Sequence, residues 1–397
     1  MSVVQVVGST LTFHYKRDYK SHMKILLLGE YSNVHNTLAR GLRELGHTVT
    51  VVSNGDFWKN YPRDIDVSRR SGKLGGMLLM AKIYTLLPRL RGYDIVQFIN
   101  PVFFELKAER LFPLFHYLKK HNKKVVLCGF GMDYYWVNTC STTMPLRYSD
   151  FNIGKELRQN KEAIVEREDW IDTEKGRLNQ LMAEQCDAIV TGLYEYWCCY
   201  EPYFPKKTTF IPFPIVVGEP PIIADETPEK LNLFIGISKS RSVYKGTDIM
   251  LRAAETVKKQ YPDRLNLTVV NGLPFDEYVR TMLGSDAIMD QLYSYTPSMN
   301  PLEAMAHGII CIGGGEPENY EIINETTLRP IINVLPTYES CVSELTHLVN
   351  NLSLIPQLRR DSYEYVRKHH DHIKVARQYE ELYRGGVKGE GVLALLG

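Results

Sequence analysis

The sequence has no long apolar run, no clear charge excess and no Cys-x-x-Cys motif. No stretch of roughly 18 residues is apolar and uncharged, so no membrane-spanning helix is expected. The start of the chain has no apolar secretion signal. With 47 basic and 46 acidic residues, the chain does not show the basic excess typical of nucleic-acid-binding proteins. Its seven cysteines are odd in number and several lie in apolar runs, which is typical of reduced structural thiols in the cytoplasm.

Short apolar runs alternate instead with segments of helical periodicity. The run Met23–Leu28 reads as a buried parallel strand, and the apolar residues of 34–45 recur at helical spacing before a second strand at 48–53. The same alternation restarts at Leu231. A chain of 397 residues is long enough for two domains. The pattern therefore predicts an α/β protein made of two Rossmann-like domains.

Changes in composition suggest where these domains begin and end. Residues 1–22 precede the first strand, and we interpret them as a tag or extension outside the fold. Residues 23–215 form the predicted N-terminal domain, and the proline-rich, acidic segment 216–230 is the predicted linker. The predicted C-terminal domain covers 231–375. Within the first domain, the charge-rich segment 152–185 favours a single long, exposed helix.

A helical segment at 73–91 mixes basic and apolar residues. Two interpretations stay open. The segment is either a peripheral contact with a membrane surface, where lipid-linked acceptors reside, or a core helix with a basic outer face.

The most informative motif lies in the second half, where Asp290 ends a predicted strand and Glu303 follows at the start of a helix. A carboxylate accepts two hydrogen bonds at once, as the paired hydroxyls of a ribose require. The start of a helix also offers unpaired N–H groups to phosphate oxygens. The alternative is that Glu303 only stabilises the helix end.

A basic loop opens the second half, where Ser238–Gly246 joins a strand to a helix and contains Arg241 and Lys245. Two cations aimed at a departing diphosphate would stabilise its developing charge as a metal ion does. Lys239 is an alternative to Arg241, and an ordinary solvated loop is the alternative to a site.

Two turns of the first half follow predicted strands, where parallel sheets bind ligands. The first contains Gly29, Asn33 and His35, and it lacks the full glycine pattern of a dinucleotide site. The second contains Asp133, which could assist deprotonation of an acceptor hydroxyl or cap a helix.

The segment Glu303-Ala-Met-Ala-His-Gly308 resembles the donor-binding signature of retaining glycosyltransferases with the GT-B fold, glycosyltransferase family 4 and its relatives. The resemblance implies two domains facing a central cleft, with Glu303 on the nucleotide ribose and Arg241 and Lys245 on the diphosphate in place of a metal ion. It also implies that residues 376–397 include a helix crossing back to the first domain. The implied reaction is transfer, with retention, from a nucleotide-sugar to a glycan or lipid-linked acceptor in glycan or polysaccharide biosynthesis, without a cofactor.

The sequence departs from the family at Tyr295, where the family has the glutamate that touches the donor sugar. Tyr295, Ser298 and Asn300 are candidates to replace that contact, and packing is the alternative role of Tyr295. The resemblance also leaves open a sugar-nucleotide epimerase and a non-catalytic binding protein of the same fold.

Histidines at 369, 370 and 372 raise the question of a metal site. Only His369 and His372 could share a helix face, and no second ligand cluster is evident. We therefore expect no metal ion.

Overall fold

The computed structural model of the protein describes residues 22–237 and 242–385, which form two lobes, each built on one parallel sheet. The first sheet has the strand order β3-β2-β1-β4-β5-β8-β9, and a short antiparallel hairpin, β6-β7, lies outside it. The strands of the first lobe are β1 (Lys24–Leu28), β2 (Thr48–Ser53), β3 (Ile65–Asp66), β4 (Ile95–Phe98), β5 (Lys124–Gly129), β6 (Asn152–Ile153), β7 (Glu156–Leu157), β8 (Ala188–Thr191) and β9 (Thr208–Phe210). Its helices are α1 (Val34–Glu44), α2 (Gly72–Leu86), α3 (Ala108–His121), α4 (Tyr134–Thr142), α5 (Lys161–Trp170), α6 (Glu174–Gln185) and α7 (Tyr194–Tyr200).

The second sheet has the order β11-β10-β12-β13-β14 and is also parallel. Its strands are β10 (Leu231–Ile237), β11 (Leu265–Asn271), β12 (Ala287–Met289), β13 (Ile310–Gly313) and β14 (Ile332–Asn333). The helices after β10 are α8 (Ser242–Lys245), α9 (Thr247–Gln260), α10 (Phe275–Leu283), α11 (Met299–Ala306), α12 (Pro317–Glu321), α13 (Tyr338–Asn350), α14 (Ile355–His369) and α15 (His372–Arg384). Two Rossmann-like domains, as predicted, make up the described chain.

The central strands are largely apolar because both faces of each sheet are covered. In β1, Ile25 and Leu27 belong to the core beneath α1 and α15, whereas Leu26 and Leu28 belong to the core beneath α2 and α3. All four are completely buried. A parallel strand between two helical layers therefore appears in the sequence as a continuous apolar run.

The prediction of one long helix at 152–185 is wrong. This segment contains the hairpin β6-β7 and two helices, α5 and α6. Gly154 turns the chain between the hairpin strands with φ 59°, and Asp172 separates the helices with φ 58°. Thr173 then caps α6 by accepting a hydrogen bond from the Gly176 amide.

The chain crosses between the lobes twice, and the two crossings run side by side. Ile215 donates to the His370 carbonyl over 2.7 Å and accepts from the His372 amide over 2.9 Å. The last helix, α15, then packs on α1, where a Cβ at Gly41 would lie 2.4 Å from the His372 carbonyl oxygen. The crossing helix thus starts at His372, four residues before the expected boundary. Asp371 separates it from α14 and caps it.

The three C-terminal histidines each contact a different element. His369 Nε2 lies 2.5 Å from Glu325, His370 Nδ1 lies 2.9 Å from the Phe213 carbonyl oxygen, and His372 Nε2 lies 3.3 Å from Glu44. These contacts secure the crossing.

One earlier prediction concerns residues outside the described part of the chain. Residues 1–22 are interpreted as an extension, and all of them except His22 lie outside the described residues. His22 Nε2 lies 2.8 Å from the Thr48 hydroxyl. Among the described residues, none of the helices combines the length and apolar character needed to cross a membrane.

Candidate active site

Each sheet has one place where the strand order reverses, and parallel sheets bind ligands at the carboxyl ends of the strands there. In the first sheet this place lies between β1 and β4, and in the second it lies between β10 and β12. The loops that follow β10 and β12 contain most of the predicted site residues of the second half. The topology thus brings Lys245 and the segment 290–303 together.

Lys245 lies at this point of the second lobe. Its Nζ is 3.9 Å from Asp290 Oδ1, and its carbonyl accepts a hydrogen bond from the Leu292 amide over 3.0 Å. Gly246 follows with φ 75°, and a Cβ there would lie 2.6 Å from Leu292 Cβ. Only glycine lets the two loops approach this closely. The Lys-Gly pair therefore places a half-buried ammonium group beside the loop after β12.

Asp290 organises the polar groups around Lys245. Its carboxylate accepts from the Ser298 hydroxyl over 3.3 Å and from the Asn300 amide over 3.2 Å. Asn300 also donates to the Tyr278 hydroxyl over 3.0 Å. Ser298 and Asn300, both predicted as sugar contacts, thus share one network with the cation. Asp290 itself was missed as a site residue, although its place at the end of a strand was a signal.

Glu303 lies one turn further into α11 than the sequence suggested. The helix begins at Met299 and has no acidic residue in its first turn, so the helix-end alternative does not explain Glu303. Its side chain is 45% exposed, and its only ionic neighbour among the described residues is His307 at 3.7 Å. Burial and the charges of Asp56, Glu30 and Glu303 raise the pKa of Tyr61 in the first lobe. Glu303 therefore lies within electrostatic range of Tyr61 in the first lobe.

Tyr295 is a packing residue in this structure, not an exposed sugar contact. It is only 1% exposed. Its hydroxyl accepts from the Arg147 amide over 2.7 Å, and its ring packs against Tyr148 and Tyr194 of the first lobe. The packing alternative thus accounts for it.

A carboxylate does lie beside position 295, but it comes from the first lobe. Glu195 in α7 is buried and accepts from the Ser294 hydroxyl and the Tyr295 amide, both over 2.8 Å. It also accepts from the amide and the hydroxyl of Thr296. One buried carboxylate thus holds the loop after β12 against the first lobe.

Residues 147–158, which we call the interlobe segment, make further polar contacts between the lobes. Arg147 donates to Glu316 over 2.8 Å and to Glu318, and Tyr148 donates to Glu316 over 2.5 Å. Arg158 donates to the carbonyls of 243 and 244 beside Lys245. Arg158, in the segment 152–185 predicted as one exposed helix, is therefore part of the contact between the lobes.

The glycine run 313–315 allows the loop after β12 to pack down on the sheet. A Cβ on Gly314 would lie 2.1 Å from the Ser294 carbonyl oxygen. These glycines are thus required by the shape of the site.

In the first lobe, Gly29 and Asn33 lie in the loop between β1 and α1. Gly29 has φ 83°, and a Cβ there would lie 2.3 Å from Ile99 Cγ2 of the neighbouring strand end. Asn33 has φ 72° and is half-buried. Glu30, which lies between them, caps the start of α1 by accepting hydrogen bonds from the free amides of His35 and Asn36. This cap was not predicted, and burial raises the pKa of Glu30 to about 8.

His35, predicted as a cleft ligand, is completely buried beneath this loop. Its Nδ1 lies 2.8 Å from the Gly29 carbonyl oxygen, and its Nε2 lies 3.1 Å from the Gln97 amide nitrogen. Gln97 accepts in turn from the Tyr383 hydroxyl over 2.7 Å. This chain requires a neutral imidazole that donates through Nδ1 and accepts through Nε2. His35 thus connects the crossing helix to the loop and is not placed to contact a substrate.

Two buried histidines contribute stability that is expected to fall as pH decreases below about 6.5, because they resist protonation, whereas the buried carboxyls of Glu30 and Asp133, whose pKa values are raised, contribute in the opposite sense. Burial lowers the pKa of His35 to about 3 and that of His370 to about 4. The unfolded chain binds protons at these positions first, so their stabilising contribution is full above pH 6.5 and is lost toward those lower values. Urea unfolding at several pH values measures the slope.

We expect His35→Asn to reduce that slope between pH 6.5 and 5 by about 1.4 kcal/mol per pH unit. His347→Asn, at an exposed position on α13, is the control. An unchanged slope in His35→Asn would contradict the assignment.

Asp133 is the N-cap of α4. It is completely buried, and its two oxygens accept from the Trp136 amide over 2.9 Å and from the Tyr200 hydroxyl over 2.7 Å. Burial raises the pKa of Asp133 to about 7, a suitable value for a general base. Its position nevertheless keeps it out of reach of an acceptor hydroxyl, which favours the capping alternative. Arg241 and its alternative Lys239 lie outside the described residues.

The fold resembles that of several enzymes of sugar metabolism. Sucrose-phosphate synthase from Thermosynechococcus elongatus matches with TM-score 0.57 and 14% identity over 92% of this chain and 99% of that one. Anabaena HepE in complex with UDP and glucose gives 0.55 and 11% over 92% and 100%, and WaaG, a glycosyltransferase involved in lipopolysaccharide biosynthesis, gives 0.54 and 12% over 91% and 100%.

A Listeria monocytogenes protein described as a UDP-N-acetylglucosamine 2-epimerase also matches, with TM-score 0.52 and 12% identity over 93% of this chain and 98% of that one. No protein-family model matches the sequence, and a search of curated proteins finds no match. With two Rossmann-like domains on either side of a cleft, the chain has the GT-B fold of these glycosyltransferases.

Proposed function

We propose that the protein transfers a sugar from a nucleotide-sugar donor, bound between the lobes, to an acceptor hydroxyl. The observation that carries this proposal is the contact path from Lys245 through Asp290 and Asn300 to the helix of Glu303. A cation for the diphosphate and an exposed carboxylate for the ribose thus lie at the carboxyl ends of one sheet. Both groups suit a nucleotide-sugar.

The proposed reaction proceeds with retention of anomeric configuration, and no metal ion or cofactor takes part. The bond between the sugar C1 and the β-phosphate oxygen breaks, and Lys245, with Arg241, stabilises the charge left on that oxygen. The acceptor oxygen forms the new bond to C1 on the same face. Its proton passes to the departing phosphate, so no protein base is needed in the first lobe. This agrees with the buried, capping position of Asp133.

An epimerase of the same fold is the second candidate, because one of the similar structures carries that description. Such an enzyme would need carboxylates available in the first lobe of the cleft. Glu30 accepts from two amides of α1, and Asp133 is occupied by Trp136 and Tyr200. These contacts favour transfer. Release of free nucleotide only when an acceptor is added would distinguish transfer from epimerisation, and binding without turnover across an acceptor panel would indicate a binding protein.

The donor can be identified by thermal-shift measurements with UDP, GDP, ADP and their sugars. HepE was solved with UDP-glucose, which makes uridine nucleotides the first to test. A ligand at about 100 times its Kd stabilises the folded protein by about 2.7 kcal/mol, so the midpoint should rise measurably.

We expect Glu303→Gln to weaken binding of the identified donor roughly 10- to 100-fold, because an amide has one accepting oxygen and no charge, whereas a carboxylate offers an accepting, charged oxygen to each ribose hydroxyl. Asp263→Asn is the control, since Asp263 is exposed and precedes β11 at the opposite end of the sheet. The ribose assignment would be wrong if Glu303→Gln bound the donor as tightly as the wild-type protein.

A further inference from the structure

Helix α2 of the first lobe is apolar on two opposite faces. Its inner face, formed by Leu79, Ile83 and Leu86, is buried in the core. Its outer face presents Leu74 at 67% exposure and Met77 at 69%. A helix on a protein surface ordinarily has a polar outer face. The outer face of α2 is apolar, so the interpretation as a core helix with a basic outer face does not describe it.

The exposed apolar residues form one continuous stripe. Leu74, Met77 and Leu78 are three and four residues apart and therefore neighbours on the helix surface. Ala81 extends the stripe by one turn, and Tyr84, which is 52% exposed, lies beyond it. A contiguous apolar patch, in contrast to a single exposed leucine, marks an interaction surface.

The charge around this stripe is of one sign. Residues 67–93 contain six basic and no acidic residues, although the whole chain has a net charge of only +1. All six basic side chains are exposed: Arg69, Arg70, Lys73, Lys82, Arg89 and Arg91. The nearest carboxylates belong to neighbouring segments, with Asp66 3.9 Å from Lys82 and Glu105 accepting from the Arg69 amide.

We propose that this face of α2 docks on an anionic phospholipid bilayer. Leu74, Met77 and Leu78 would enter the boundary between headgroups and acyl chains, while Lys73 and Lys82 beside them contact lipid phosphates. A second copy of the chain fits less well, because pairing two such faces would bring six positive charges against six. Charge complementarity therefore favours an anionic surface.

The docked face would also lie near the cleft. Five residues separate the start of α2 from the end of β3 at Asp66, so the first turn of α2 is at the carboxyl edge of the first sheet. If the proposed transfer is correct, this orientation favours an acceptor carried by a lipid. The docking itself does not depend on the proposed function.

Vesicle flotation tests the docking directly and needs no donor or acceptor. The full chain is mixed with vesicles of phosphatidylcholine alone or of phosphatidylcholine with phosphatidylglycerol. We expect flotation only with the anionic vesicles, and less of it at high salt. Failure to float with anionic vesicles would overturn the proposal.

Two sets of variants identify the surface. Combining Leu74→Ser, Met77→Ser and Leu78→Ser is expected to reduce binding roughly tenfold or more, and Lys73→Gln with Lys82→Gln is expected to weaken its salt dependence. Leu335→Ser with Leu354→Ser, at exposed positions of the second lobe, is the matched control and should bind like the wild-type protein. Thermal midpoints confirm that each variant is folded.

Sedimentation of the same proteins tests whether a second copy of the chain, and not a bilayer, covers the stripe. If the wild-type chain is a dimer that the triple serine variant converts to a monomer, the stripe is covered by a second copy and the bilayer proposal is wrong. Equal vesicle binding by the triple variant and the wild-type protein would also overturn it.

Discussion

Replacing Lys245 by alanine is expected to lower turnover roughly 10²- to 10³-fold while leaving the protein folded. In the proposed reaction this ammonium group meets charge that develops on the leaving phosphate only in the transition state. The side chain is 28% exposed and makes no close hydrogen bond within the described part of the chain, so its removal should cost little stability. Steady-state kinetics with the donor found by thermal shift measure the loss.

Two further variants test whether charge is the cause. Lys245→Arg keeps a cation at the site and should recover part of the activity. Lys259→Ala removes an exposed lysine from the far end of α9 and should behave like the wild-type protein. If folded Lys245→Ala turned over at the wild-type rate, Lys245 would have no part in the chemistry.

The largest expected effect on stability follows from Glu195→Ala, which we expect to lower the free energy of unfolding by about 3–5 kcal/mol. The substitution leaves the amides of Tyr295 and Thr296 and the Thr296 hydroxyl without their acceptor, and the Ser294 hydroxyl keeps only the Thr296 carbonyl. These groups are buried between the lobes, where water cannot easily replace the carboxylate. Urea unfolding measures the change.

The same variant should loosen the contact between the lobes, because Glu195 in the first lobe holds a loop of the second. Small-angle X-ray scattering would detect an increase in the radius of gyration. Glu184→Ala, at an exposed position of α6, is the control. A Glu195→Ala protein with wild-type stability and dimensions would show that this carboxylate does not hold the lobes together.

The sequence predicts which candidate site residues lie together where these residues are close in sequence and follow strand ends. Lys245, Ser298 and Asn300 share one network because strand–loop–helix units place their loops at one edge of the sheet. Glu303 was also expected to face the cleft, but its place in the second turn of α11 required the structure.

Other assignments failed because a polar side chain near a strand end has two possible roles. His35 and Asp133 follow strands as ligand-binding residues do, yet both are completely buried and have protein partners. These partners are distant in sequence: Gln97 for His35 and Tyr200 for Asp133. No local pattern reveals such pairing.

The sequence by itself determined the two parallel sheets, since strands covered by helices on both faces must be largely apolar, as in Ile25–Leu28. Only the tertiary structure decided how the lobes meet, through Glu195, the interlobe segment and the crossing at Ile215 and His372. Those contacts join residues up to about 170 positions apart. Burial pattern is a property of each segment alone, whereas the pairing of polar groups depends on which distant segments the fold brings together.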